Sequence, residues 1–199
     1  MKVKKLWVMM PVVIAVTAIF SVATVACAAE TPRVKFSTSS GDFVLELYPD
    51  KAPKTVDNFL QYVKNSHYNG TIFHRVINNF MVQGGGFDAQ FAEKKTRPPV
   101  VHEGHEALAK GGPKNDEGTV AMARTQDPNS ATAQFFINVK NNAFLDPTPQ
   151  SPGYTVFGKV VQGMDVVNKI KATPTGAGGP FPGDVPKPLI VIHSATLVK

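Results

Sequence analysis

The chain has one cysteine, Cys27, and one tryptophan, Trp7, in 199 residues, and both lie in its first 27 positions. A single cysteine cannot build a disulfide framework, and the rest of the sequence offers neither a Cys-x-x-Cys pair nor an internal repeat. Charge is also sparse. Only 18% of residues are Asp, Glu, Lys or Arg, while there are 13 Phe, which excludes an intrinsically disordered chain. Gly and Pro, at 16 each, are far below collagen levels, and no block of one charge sign marks a nucleic-acid-binding arm. The formal charge of +6 would favour anionic partners only if the cations were clustered, and on the main part of the chain they are not.

The longest uncharged run, Leu6 to Ala29, follows Lys2, Lys4 and Lys5 and closes on Ala26-Cys27-Ala28-Ala29. A basic start, an apolar stretch and an A-x-A exit predict a secretory signal spanning residues 1–28, cut after Ala28. An uncleaved anchor and a lipidated Cys27 are the weaker alternatives; Pro11 and the small-residue exit disfavour the first, and Thr24 in place of a Leu-like residue disfavours the second. Cleavage takes the charge from +6 to +3 and leaves no cysteine, which suits an oxidising compartment such as the periplasm.

From Arg33 onward the pattern is of short β-rich runs: 34–37 and 43–48 around a Ser-Ser-Gly-Asp turn, then 71–77, 80–83, 119–123, 134–139, 154–161 and 189–198. Two helices interrupt them. Lys54–Asn65 places Val56, Phe59, Leu60 and Val63 on one face, and Met164–Ile170 turns Met164, Val167 and Ile170 inward. Gly84-Gly85-Gly86 reads as a break in regular structure, and 87–118 reads as a long surface loop. Many short strands with two helices predict a mainly β domain over 29–199, closed or sandwich-like, because closure hides strand edges.

Several chemistries lack their motifs. There is no G-x-S-x-G elbow, and the three glycines are not followed by the Lys-Ser or Lys-Thr of a phosphate loop. His102-Glu103-Gly104-His105-Glu106 is the best metal candidate, but Gly104 and the prolines before it argue against a helix, and a third ligand is not evident. No metal or other cofactor is therefore expected. The informative segment is Phe73-His74-Arg75-Val76-Ile77-Asn78-Asn79-Phe80-Met81-Val82-Gln83, with one arginine among apolar residues. Strict alternation would place Phe73, Arg75 and Ile77 on one face. A guanidinium in such company usually addresses a planar polar partner.

These residues, together with Ala121-Met122-Ala123-Arg124-Thr125, Pro128-Asn129-Ser130-Ala131-Thr132-Ala133-Gln134-Phe135-Phe136-Ile137-Asn138, Ala143-Phe144-Leu145-Asp146 and the run from Tyr154 to Val167, resemble the cyclophilin peptidyl-prolyl cis-trans isomerases in order and spacing from about Val34 to Val198. With the export signal, the chain resembles the periplasmic branch of that family in Gram-negative bacteria. The resemblance implies a closed eight-stranded antiparallel barrel capped by two helices. It implies isomerisation of X–Pro bonds in unfolded or partly folded exported proteins, with Arg75 as the catalytic residue. Phe80, Met81, Phe136 and Leu145 would receive the proline ring. Gln83 would hold the arginine, His74 and Gln134 would line the groove, and Ala123 and Arg124 would meet the residue before proline.

Two positions depart from the pattern common in eukaryotic members: Phe144 stands where tryptophan does, so without the indole N–H weak cyclosporin binding is expected, and Tyr154 stands where histidine does, which changes that wall. Arg124 replaces an asparagine and would add a cation favouring acidic residues near the proline. The expected partners are proline-containing peptide segments, with no nucleic acid, no stable membrane association and a monomeric state. A peptide-binding chaperone or scaffold that uses the same groove without turnover is the alternative reading.

Overall fold

A computed structural model describes residues 1–2 and 31–198; the expected signal beyond its first two residues, with Cys27 and the cleavage site, lies outside them. The chain enters through an antiparallel hairpin, β1 (Arg33–Thr38) and β2 (Gly41–Leu47). Val34 and Phe36 of β1 and Phe43, Leu45 and Leu47 of β2 are buried, the every-second-residue pattern of strands with one face on a core. Gly41 closes the turn at φ +124°, a conformation open to glycine, and a Cβ there would stand 2.9 Å from the Val166 side chain.

Helix α1 (Pro53–Lys64) follows, with proline in its first turn, where its missing N–H costs nothing. It buries Thr55, Val56, Phe59, Tyr62 and Val63. Its first turn is capped from far along the chain. The Glu103 carboxylate accepts from Lys54 N (3.2 Å), Thr55 N (2.8 Å) and Thr55 Oγ1 (2.7 Å). An anion at exposed N–H groups satisfies donors that a helix leaves open.

Strands β3 (Thr71–Ile77), β4 (Met81–Asp88), β5 (Thr119–Met122), β6 (Phe135–Asn138) and β7 (Val156–Gln162) continue the sheet, and β10 (Ile192–Val198) completes it in the order β10-β1-β2-β7-β5-β6-β4-β3. All eight β-rich runs of the sequence appear in it. Helix α3 (Met164–Ala172) lies where expected; it buries Val166, Val167 and Ile170, and Met164 packs partly buried against the same core.

Four features differ from the sequence expectation. The ladder is open, not closed: β10 and β3 are its two edges, and they meet only near one isolated bridge, Ile72 with Val191, flanked by Phe73 N to Ile190 O at 3.0 Å and Gly70 N to Ile192 O at 2.8 Å. Among the described residues there are three α-helices rather than two, because α2 (Gly104–Ala109) forms inside the supposed loop. One turn and a half carries too little periodicity to be read from sequence. The triple glycine does not end a strand but runs through β4, where the register with β3 shifts. Finally, β8 (Thr175–Gly178) and β9 (Phe181–Pro186) form a separate hairpin that glycines and prolines had concealed.

The core lies inside the curved sheet. Phe36 stacks on Phe43 at 5.0 Å between ring centroids, and Phe59 meets Phe157 at 4.9 Å and Phe135 edge-on at 5.8 Å. Among the described residues no helix is long and apolar enough to cross a membrane.

Candidate functional site

A second register shift decides where the arginine points. Phe73 pairs with Gly84 but Arg75 pairs with Gln83, so an extra residue bulges between them and the alternation breaks. Phe73 and Val76 therefore both enter the core, while Arg75 is left on the outer face. The expected sharing of one face by Phe73 and Arg75 does not hold. Across the outer face the pairing aligns Arg75, Gln83, Phe136 and Ala121 in a row from β3 through β4 and β6 to β5.

On this row sits a small apolar cluster separate from the core: Met81, Ala121, Phe136, Leu145 and Val156, edged by Ile77, Phe80, Ala123 and Tyr154. It forms the floor and walls of a recess of about 100 Å³ lined by Arg75, Phe80, Met81, Gln83, Ala123, Arg124, Phe136, Leu145 and Tyr154. Nine of the twelve residues singled out from sequence are thus brought together. Phe144 stands outside the recess, 72% exposed, with its ring stacked on Phe80 at 5.6 Å. Gln134 lines an adjoining groove with Glu93, Thr96 and Ser130.

His74 is elsewhere. It is 3% exposed, packed between Phe87 (4.8 Å) and Phe181 (5.2 Å), and is not among the residues lining the recess. Burial, with the Arg75 charge second, pushes its pKa down to about 4, so it is a neutral packing residue rather than part of the groove.

The polar residues are held by defined partners. Gln83 Nε2 donates to Gln134 Oε1 at 3.0 Å, so the side chain expected to hold Arg75 is instead tied to its neighbour on the other side. Gly86 makes room for this contact, since a Cβ there would lie 2.6 Å from the Gln134 amide. Arg75 has Asp184 Oδ2 at 3.8 Å from Nε and the Phe80 ring at 6.0 Å from Cζ. Its terminal nitrogens make no hydrogen bond among the described residues, and the side chain lines the recess.

Arg124, expected as a cation beside the groove, lines the recess with its guanidinium held by internal acceptors. Its Nη2 and Nε donate to Gly153 O at 2.8 and 3.2 Å, its Nη1 to Thr125 O at 2.8 Å, and the guanidinium lies 4.5 Å over Tyr154. Tyr154 in turn meets Phe136 edge-on at 5.4 Å. The side chain thus braces a wall of the recess.

A buried amide network escaped the sequence reading. Asn142 Nδ2 donates to Phe80 O (2.8 Å) and Asn138 Oδ1 (2.7 Å), Asn138 Nδ2 to Asn115 Oδ1 (3.2 Å), and Asn115 Nδ2 to Asp146 Oδ1 (3.0 Å). It fixes the turn at Phe80 relative to the 3-10 turn Ala143–Leu145 that carries Leu145. The only hint in the sequence is the density of asparagine around the aromatic strand. The metal candidate resolves into packing roles: Glu103 caps α1, His102 Nδ1 accepts from Gly104 N at 3.2 Å, and His105 Nε2 lies 3.0 Å from Thr148 O.

A small recess with an apolar floor of Met81, Phe136 and Leu145 and two arginines in its lining is the arrangement on which the family resemblance bears. The profile of the family described as "Cyclophilin type peptidyl-prolyl cis-trans isomerase/CLD" matches residues 33–197. The chain belongs to the cyclophilins. This cyclophilin is 54% identical over 168 residues to a peptidyl-prolyl cis-trans isomerase of Streptomyces antibioticus, covering 83% of this chain and 98% of the other. It is 53% identical to peptidyl-prolyl cis-trans isomerase B of Escherichia coli, over 82% and 98% of the two chains. It is 50% identical to peptidyl-prolyl cis-trans isomerase A of Dickeya dadantii, over 86% and 87%. Among solved structures, a cyclophilin type isomerase of Cryptosporidium parvum superposes with a TM-score of 0.63 at 24% identity, over 85% of this chain and 98% of that one, and shares the fold. The protein is a cyclophilin-type peptidyl-prolyl cis-trans isomerase.

Proposed function

We propose that the cyclophilin turns X–Pro bonds by holding the proline ring in the recess between Met81, Phe136 and Leu145 while the Arg75 fork donates to the substrate amide. Rotation is slow because nitrogen lone-pair delocalisation gives the amide bond a barrier of about 18–20 kcal/mol. At the top of that barrier the delocalisation is lost and the nitrogen becomes a better acceptor. A donor placed there binds the twisted amide more tightly than either planar isomer, which is the condition for lowering a barrier. Gripping the ring on apolar walls leaves the carbonyl side free to turn. No bond is made or broken, so no nucleophile or proton relay is needed.

The observation that carries this reading is the Arg75 guanidinium at the rim, its fork not consumed by an intramolecular acceptor among the described residues, beside a recess of about 100 Å³. We assign substrate contact to Phe80, Gln83, Ala123, Phe144 and Tyr154 as well, with Gln134 acting through Gln83 and Arg124 through Tyr154. Residues 1–28 serve as an export signal, so the substrates are proline-containing segments of exported chains met in the periplasm by a monomeric domain.

Arg75→Ala, assayed on a proline-containing tetrapeptide, is expected to lower kcat/KM by about two orders of magnitude or more, the scale for loss of one preorganised charge-stabilising donor, with peptide binding retained. Turnover kept near the wild-type value would refute the mechanism. A wild-type protein that binds peptide but has no measurable rate would favour the chaperone role. The mass of the mature N-terminus tests export: a start at Ala29 supports it, and an intact Met1 in the periplasmic fraction overturns cleavage.

A further inference from the structure

The β8–β9 hairpin stands outside the main sheet, yet it touches the strand that carries Arg75 at two successive residues. Phe181 stacks on His74 at 5.2 Å and meets Phe87 edge-on at 5.1 Å, which fixes one end of β9 against β3 and β4. Three residues on, Asp184 Oδ2 lies 3.8 Å from Arg75 Nε. Asp184 has φ +64°, a backbone region that L residues rarely occupy, and it adjoins Val185, which is fully buried. The carboxylate is therefore presented by a constrained segment with an anchor on each side, not by a free loop.

The geometry points to Asp184 as a positioning residue for Arg75, an inference that rests on the assignment of Arg75 to catalysis. The contact is made at Nε, the inner nitrogen of the guanidinium. The two terminal nitrogens remain free to address substrate, and a planar group restrained at its inner edge loses less freedom when its outer edge donates. The Phe80 ring, 6.0 Å from Cζ, supplies a second restraint from the recess side. Among the described residues Asp184 is the acidic partner of Arg75 within 4.0 Å. With side-chain exposures of 45% for Arg75 and 49% for Asp184, the pair contributes little to folding and is open to screening by salt.

The test compares wild type, Asp184→Asn, Arg75→Ala and the double variant on a proline-containing tetrapeptide. Each is measured at about 0.01 M and about 1 M salt, where screening lengths are about 30 and 3 Å. Asp184→Asn is expected to lower kcat by about two- to fivefold at low salt, the range for a half-exposed ion pair. KM and thermal stability should hold, and at high salt the wild type should fall toward the variant. In the Arg75→Ala background the second substitution should change nothing. Unchanged or raised kcat in Asp184→Asn, with Arg75→Ala inactive, overturns the role of Asp184 alone. A loss of the same size at both salt concentrations overturns it too, since it would reflect hairpin misplacement rather than charge. Arg75→Ala with full turnover overturns the assignment of Arg75 itself.

Discussion

Phe135 and Phe136 are adjacent on β6 and face opposite ways. Phe135 enters the interior, with 0% exposure and edge-on contacts to Phe59, Tyr68 and Phe73; Phe136 forms the floor of the outer recess, with 4% exposure and Tyr154 and Met81 around it. By burial and residue type the two are nearly the same, yet one belongs to a closed aromatic core and the other to a cluster with an opening. A sheet has two faces, and in this protein both are apolar in the middle. The inner face is covered by helices and by the sheet's own curvature, whereas the outer face is covered only in part, by the loops bearing Ala123–Arg124 and Leu145. The uncovered remainder is the place for a ligand ring.

The comparison breaks most clearly by truncating each phenylalanine in turn. Phe135→Ala should destabilise the fold by about 3–5 kcal/mol, the usual cost of emptying an aromatic site in a tight core, seen as a large fall in denaturation midpoint. Phe136→Ala should cost less stability, because solvent enters through the opening and the void is shallower, but should lower kcat/KM far more per unit of stability lost. Equal losses in stability and equal losses in activity from the two variants would end the distinction between the faces.

His74 sharpens a related contrast, as a buried ionisable group next in sequence to the exposed Arg75. Its pKa, lowered to about 4 from 6.5, means that between those values the unfolded chain binds a proton that the folded one refuses. Its contribution is intact above about pH 6.5 and is lost as pH falls toward 4. At about 1.4 kcal/mol per pH unit the loss is on the order of 3 kcal/mol. Urea denaturation at pH 7 and pH 4.5 should show it, and His74→Phe, which keeps the ring between Phe87 and Phe181, should flatten the slope. His67 and His102 are shifted downward by burial too, so some slope should remain. A slope identical to wild type in His74→Phe would mean that His74 titrates normally in the fold.

The smallest effect concerns the recess wall. Arg124→Lys keeps the charge but loses the forked bonds to Gly153 O and the flat contact with Tyr154. It is expected to raise KM about two- to fivefold with kcat nearly unchanged, the scale of one partly exposed cation–π contact. If Arg124 acted through its charge alone, lysine would preserve KM and any preference for acidic residues near the proline, and that outcome would overturn the bracing role.

Much of the site was legible because its residues come as unbroken runs on strands. Phe80-Met81-Val82-Gln83 and Gln134-Phe135-Phe136 each carry inner and outer residues in alternation, and the recess follows once two such strands lie side by side. Other parts were not. The bulge that turns Arg75 away from Phe73 depends on the register of β3 against β4, which neither strand encodes alone. His74 reads like a site residue because it precedes Arg75, but it packs on Phe181 from a hairpin more than 100 residues later. Asp184 gave no signal, lying between Gly183 and Val185 in a stretch rich in proline and glycine.

By itself the sequence determined the eight β-rich runs, the amphipathic face of α1, and the family to which the chain belongs, because these rest on local patterning and on contiguous motifs. Only the tertiary structure decided that the strand ladder stays open between β3 and β10, that Glu103 caps a helix some fifty residues before it, and that Arg75 faces Asp184 while Arg124 is spent on the Gly153 carbonyl. These outcomes depend on which distant groups meet. Partner choice at long range is set by register, bulges and packing across the whole sheet rather than by the residues on either side of a position.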